Sequence, residues 1–241
     1  MDRALFAAAS GMAAQQQNLD TIANNLANAD VVGFKGSQDV FTALAAPGDP
    51  GAGTVRTGEH ALFKTGKLER SNGPFDVAID GEGFFIVTDG TRRAFTRAGE
   101  FSRSADGTLR NAQGWRLAGV RIPPDALGAS VTPDGAVTVT TRDGSQVVAH
   151  LRLAEFAAPE RLQSADGALF VQTPESGAPR LLTPGGANGP SLRFGMLEQS
   201  NVSIVESMMQ ILTAQRAYEA NAKGIQAADE MLRIANNLQR G

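Results

Sequence analysis

Asp76, Asp80 and Glu82 lie within one run of seven residues, just ahead of Phe84 and Phe85. Paired carboxylates beside an aromatic face serve glycoside hydrolysis, and clustered acids also hold divalent cations. Strand alternation would set all three on one face. A hydrolase of a cell-wall polymer needs an aromatic, polar cleft as well, and only Trp115 and Tyr218 are available to build one. Turn-forming acids at strand ends account for the same residues more simply. The two histidines, His60 and His150, are far apart and read as surface residues. Without cysteine there is no disulfide, thiolate ligand or cysteine nucleophile. The Asp-Gly pairs described below lack the regular spacing of an EF-hand or a calcium-binding repeat. No catalytic residue, cofactor site or metal site is assigned.

With the residues pointing away from catalysis, the elements that hold them decide the reading. An apolar share of 42% against 20% charged residues is that of a folded chain. A net charge of −3 with no basic block argues against nucleic acid as a partner. No run approaches the ~20 apolar residues of a membrane span, so membrane insertion is not expected. The opening resembles a short signal peptide, but Asp2 offsets Arg3 and the apolar residues continue in helical register, so it reads as mature protein.

Residues 3–28 read as one helix, with Asp2 as its N-cap. Leu5, Met12, Leu19 and Leu26 repeat every seven residues, and Ala8, Gln15 and Ile22 fall three positions after the first three of them. The far end mirrors it. Ile204, Ile211, Tyr218, Ile225 and Leu232 also recur every seven residues, with Met208, Ala222 and Ala228 filling in. Ser203 and Glu206 form a capping box that starts this helix at about Ile204. Across residues 1–34 the charges are only Asp2, Arg3, Asp20 and Asp30. A surface helix ordinarily has a charged face, so one this neutral reads as a helix covered on several sides.

Between the ends the pattern becomes that of strands. Six Asp-Gly pairs, beginning at Asp80, Asp89, Asp106, Asp134, Asp143 and Asp166, predict type I′ hairpin turns. Phe84-Phe85-Ile86-Val87, residues 136–140 and Leu169-Phe170-Val171 read as strands of a small sandwich or irregular barrel. Gly/Pro-rich stretches at 47–53 and 183–190 flank this region as loops. The expected fold class is α+β: N- and C-terminal helices paired as a coiled coil around a central all-β domain. Its segments are an assembly helix (1–35), a linker or extended segment (36–71), the β domain (72–174), a second linker (175–200) and a second assembly helix (201–241).

Three ordered motifs carry a resemblance. Leu19 through Asn24, Asn25, Leu26 and Asn28 to Gly33-Phe34-Lys35 closely resembles the N-terminal signature of bacterial flagellar rod and hook proteins. The run from Phe75 to Phe85 is similar to the segment that opens the family's β domain. Residues 197–202 followed by 214–219 are similar to its closing helix, and 95–99 and 151–156 match weaker points between. The chain is thereby identified as a member of the flagellar basal-body rod protein family, related to hook proteins. Residues 215–219 and the general run of the β domain resemble the FlgG type, the stretch between Phe41 and Gly66 departs from it, and the opening Met1-Asp2-Arg3-Ala4 with the modest length leans towards the FlgF type. The resemblance implies a non-catalytic subunit exported through the flagellar secretion apparatus, which assembles helically with copies of itself and with rod and hook relatives. It places the chain in the basal-body rod crossing the periplasm, transmitting torque, with the terminal helices as the assembly seam. A soluble coiled-coil adaptor with a β recognition domain shares the architecture and remains the alternative.

Overall fold

The computed structural model describes residues 2–44, 53–186 and 189–239, with side chains for all of these except 2–4, 232 and 235–239. The chain is α+β, and its described residues fall into two compact units. One unit takes the two ends and residues 37–60; the other takes Asn28–Gly36 and Ala61–Asn201. This division crosses the segments expected from sequence: the motif residues Gly33, Phe34 and Lys35 fold with the strands, and residues 37–60 fold with the helices.

In the helical unit, α1 (Asp2–Ala27) and α2 (Ile204–Gln239) lie against each other. Ala, Leu, Met and Gln dominate α1, and all favour the helix interior. Asp2 already lies within α1, and its side chain, the proposed N-cap, lies outside the described residues, as does that of Leu232. Ser203 stands just before α2 and its Oγ accepts from the Glu206 N–H at 3.4 Å. Residues 36–71 contain more than a linker, because β1 (Ser37–Ala43) and β2 (Thr54–Ala61) pair as a two-stranded sheet. Most of the Gly/Pro-rich stretch at 47–53, together with Ala187 and Asn188 of the second one, lies outside the described residues.

In the strand-rich unit the largest sheet runs in the order Gln163–Ser164, Leu169–Val171, Arg93–Thr96, Phe84–Thr88, Arg116–Arg121, Thr108–Arg110 and Ser102–Arg103. Leu153–Glu155 joins it beside Phe84–Thr88. A three-stranded sheet holds Gly128–Val131, Ala136–Thr141 and Gly144–His150. Two strand pairs complete the unit: Val77–Asp80 with Ser191–Phe194, and Leu68–Arg70 with Met196–Glu198. The core is aliphatic and aromatic, centred on Val77, Ile79, Phe85, Val87, Val139 and Leu153. A second cluster gathers Phe84, Phe95, Phe156 and Phe170, with Phe63 edge-on to both Phe84 and Phe170.

The turn chemistry differs from expectation. A type I′ turn puts its first central residue at positive φ, yet no described residue other than glycine takes one. Instead Asp89 and Asp106 cap their turns with their carboxylates. Asp89 accepts from the Thr91 and Arg92 backbone N–H groups at 2.8 and 2.7 Å, and Asp106 from that of Thr108 at 3.1 Å. An Asx-type acceptor lets Asp keep negative φ and leaves the left-handed residue to the following glycine. Asp80-Gly81 joins two strands that do not pair with each other.

Candidate functional site

The helical unit shows what covers a nearly uncharged α1. The Ser10 Oγ accepts from the Thr54 N–H at 3.1 Å, and Thr21 donates to Asp39 at 2.8 Å. Asn25 makes a two-way bond with the Ser37 backbone, donating to its carbonyl at 2.7 Å and accepting from its N–H at 2.8 Å. Arg56 pairs with the buried Asp39 from the other side. Ser10, Thr21 and Asn25 thus turn the polar side of α1 towards the two-stranded sheet, where the backbone groups of Thr54 and Ser37 and the Arg56-paired carboxylate of Asp39 find their partners. Ala14 and Ile22 are buried, while Leu5, Met12, Leu19 and Leu26 are half-buried.

On α2 the covered face runs through Ser207, Ala214 and Ala228, with Ile211, Asn221 and Ile225 half-buried. Small residues let helices approach, and Gly11 of α1 faces Asn221: a Cβ there would lie 3.0 Å from the Asn221 Nδ2. Ile204, Met208 and Tyr218 remain exposed. At about 100° per residue, Val205, Met208, Met209 and Leu212 share a face opposite Ser207 and Ala214. All four are more than half exposed: Val205 at 69%, Met208 at 53%, Met209 at 65% and Leu212 at 56%. Met231 and Ile234 continue that face. So α2 has two apolar sides, one of them uncovered.

The strand-rich unit gathers the remaining motif residues around one carboxylate. Lys35 donates to Glu198 Oε1 at 2.6 Å and to the Lys64 carbonyl at 2.8 Å, and the Gly66 N–H reaches the same Oε1 at 2.8 Å. Arg97 donates to the Gly83 and Gly81 carbonyls at 2.7 and 2.9 Å. Its Nε lies 2.9 Å from Glu198 Oε2, a charge contact without hydrogen-bond alignment, so that oxygen accepts no hydrogen bond. All three ions are buried. Desolvation pushes the Lys35 and Arg97 pKa values down, against the opposing pull of Glu198. Nearby, the Gly33 N–H donates to the Glu198 carbonyl at 2.7 Å. The Gly36 N–H donates to Asn201 Oδ1 at 2.9 Å, and the Asn201 Nδ2 to the Leu62 carbonyl at 2.6 Å. Gly33 sits at φ +67°, and a Cβ there would fall 2.2 Å from the Ala98 nitrogen. Phe34 is buried beside it in the chain. Asn24 and Asn28 also have partners within the fold.

The candidate acids do not converge. Asp76 is buried and accepts from the Ser71 hydroxyl, and Asp80 pairs with Arg193 at 2.9 Å. Glu82 instead edges a cavity of about 270 Å³ lined by Phe63, Phe84, Phe156 and Arg97. Among the described residues, no three His, Cys, Asp or Glu side chains cluster to hold a metal ion. His60 stands on β2 and His150 ends a strand of the other unit. Sequence reading singled out Lys35 but gave Arg97, Glu198 and Asn201 no role beyond their motifs.

Fold and site together define a helix-ended architectural protein. Three family models match it: a flagella basal body rod protein model over residues 5–35, a flagellar hook protein FlgE/F/G D1 domain over 78–139, and the flagellar basal body rod FlgEFG protein C-terminal region over 194–238. The flagellar basal-body rod protein FlgG of Borreliella burgdorferi is 38% identical over the whole of both chains. That of Agrobacterium fabrum is 35% identical over 97% of this chain and 98% of its own. The FlgF rod protein of Caulobacter vibrioides is 32% identical over 98% of this chain and 97% of its own. The chain belongs to the flagellar basal-body rod protein family. The ionic cluster takes one residue from each matched region: Lys35, Arg97 and Glu198.

Proposed function

We propose that this chain is a structural subunit of the flagellar basal-body rod, of the FlgG or FlgF type, that assembles helically through its terminal helices. The observation that carries the reading is the second apolar face of α2, Val205, Met208, Met209 and Leu212, which lies opposite the face on α1. A helix with two apolar sides needs a second helical neighbour, because leaving one side in water forgoes about 25 cal/mol per Å². Copies of this chain and rod or hook relatives supply that neighbour, and contacts that do not close into a ring build a filament. Within the subunit, α1 and α2 pair as a coiled-coil seam in which small residues alternate with Ile211 and Ile225. Export through the flagellar secretion apparatus and service in the periplasm-crossing rod, where the subunit transmits torque without catalysis, follow from the same reading.

Met209→Asp and Leu212→Asp test it. Both side chains are exposed, so each variant should match the parent in solubility and thermal transition. Each should fail to form filaments at high concentration by electron microscopy and fail to restore motility to cells lacking the parent gene. Ser145→Asp, in the exposed turn end of a β strand, should leave both properties intact. Normal filaments from Met209→Asp would remove the second α2 face as the contact.

A further inference from the structure

We infer that Glu198 is a positioning residue, a latch that makes docking of the chain leading into α2 obligatory for the strand-rich unit. The inference stands on the ionic geometry alone and holds whether or not the subunit builds a rod.

Lys35 and Arg97 are two cations, each 3% exposed, drawn from distant parts of the chain. Glu198 is fully buried and meets one cation with each carboxylate oxygen, at 2.6 and 2.9 Å. The same residue takes the Gly66 N–H on its side chain and the Gly33 N–H on its backbone carbonyl. Neighbouring Asn201 ties Gly36 to Leu62 and Lys64. One short segment, ending just before Ser203 and α2, therefore closes three others. Lifting it away would leave two like charges buried without an anion, the costliest way to break such a cluster. Burial lowers the Lys35 pKa, and Glu198 is the partner that pulls it back up. The latch gives the lead-in to α2 the stability of the whole unit.

Full-length Glu198→Gln, Lys35→Met and the double variant separate charge balance from packing. The readouts are the urea midpoint followed by Trp115, which lies in the strand-rich unit, and amide exchange at Gly33 and Gly66. Glu198→Gln should lower the midpoint and speed exchange at both glycines on the order of a hundredfold. Lys35→Met alone should change little, since the Lys64 carbonyl still accepts from Asn201 at 3.1 Å. Adding Lys35→Met to Glu198→Gln should recover part of the loss, because one unpaired cation then remains where there were two. If Glu198→Gln alone does not fold, the double variant should. Unchanged exchange in Glu198→Gln, or a double variant no better than the single one, overturns the latch.

Discussion

At the residue scale, the motif glycine and the motif charges do separate work. Gly33 is needed twice over: its φ of +67° is unfavourable for any residue with a Cβ, and that Cβ would strike the Ala98 backbone. Gly90, at φ +107°, has nothing within 4 Å of where its Cβ would be. Alanine at Gly90 therefore costs only the backbone preference, about 1–2 kcal/mol. Alanine at Gly33 adds a backbone displacement in the region that holds Arg97. We expect Gly33→Ala to lower the Trp115 thermal transition roughly 5 °C further than Gly90→Ala, using the ~2–4 °C per kcal/mol of a unit this size. Equal shifts would mean that the close approach to Ala98 carries no weight. The carboxylate trio shows the opposite lesson. Asp76, Asp80 and Glu82 share a stretch of sequence, yet each has its own neighbours: Ser71, Arg193 and the cavity beside Arg97.

At the element scale, the turns of the strand-rich unit depend on ionised aspartates. Backbone N–H bonds from Arg92 and Thr91 hold the Asp89 carboxyl well below the usual carboxylate range. The Thr108 hydroxyl and N–H do the same for Asp106, and the Thr132 hydroxyl lowers Asp134. A carboxyl whose folded pKa is depressed contributes stability that is complete above its unfolded pKa of ~3.9 and is lost as pH falls towards the folded value. The urea midpoint should accordingly drop between about pH 5 and about pH 3. The double variant Asp89→Asn, Asp106→Asn should start lower and fall less, because Asn keeps an acceptor for the turn but does not titrate. An identical pH slope in parent and variant would move the acid sensitivity elsewhere. On α1, Ser10 and Asn25 satisfy backbone groups of the two-stranded sheet by neutral hydrogen bonds, and Thr21 donates to the Asp39 carboxylate that Arg56 balances.

At the scale of the whole molecule, the two compact units divide the labour. The helical unit carries the uncovered apolar face, and the strand-rich unit carries the buried Lys35, Arg97 and Glu198 cluster. Assembly through Val205, Met208, Met209 and Leu212 should follow the thermodynamics of apolar burial, weakening on cooling and strengthening with sulfate. Sedimentation of filaments at high concentration should therefore fall as the sample is chilled and recover on warming. Association that is indifferent to temperature but dissolved by moderate sodium chloride would point to charge as the driving force. The single tryptophan and single tyrosine make the units separately visible, since Trp115 belongs to the strand-rich unit and Tyr218 to α2.

The sequence alone determined what is written in local patterns. Heptad recurrence from Leu5 and from Ile204 marked a helix at each end, and Ser203 marked where the second begins, because periodicity and capping act within a few residues. Apolar β-formers bounded by turn residues marked the strands at Phe84, Ala136 and Leu169 for the same reason. Tertiary structure decided the rest. The face of α2 against α1 runs through Ser207, Ala214 and Ala228, which carry no hydrophobic signal but permit close approach, while Met208 points elsewhere. The sheet formed by Ser37–Ala43 and Thr54–Ala61 reads as a linker until its polar partners on α1 are known. Lys35, Arg97 and Glu198 meet across long stretches of chain, and each alone reads as a surface charge. What makes them one site is burial, which a sequence does not display: only the folded chain removes the water that would otherwise keep three ions apart.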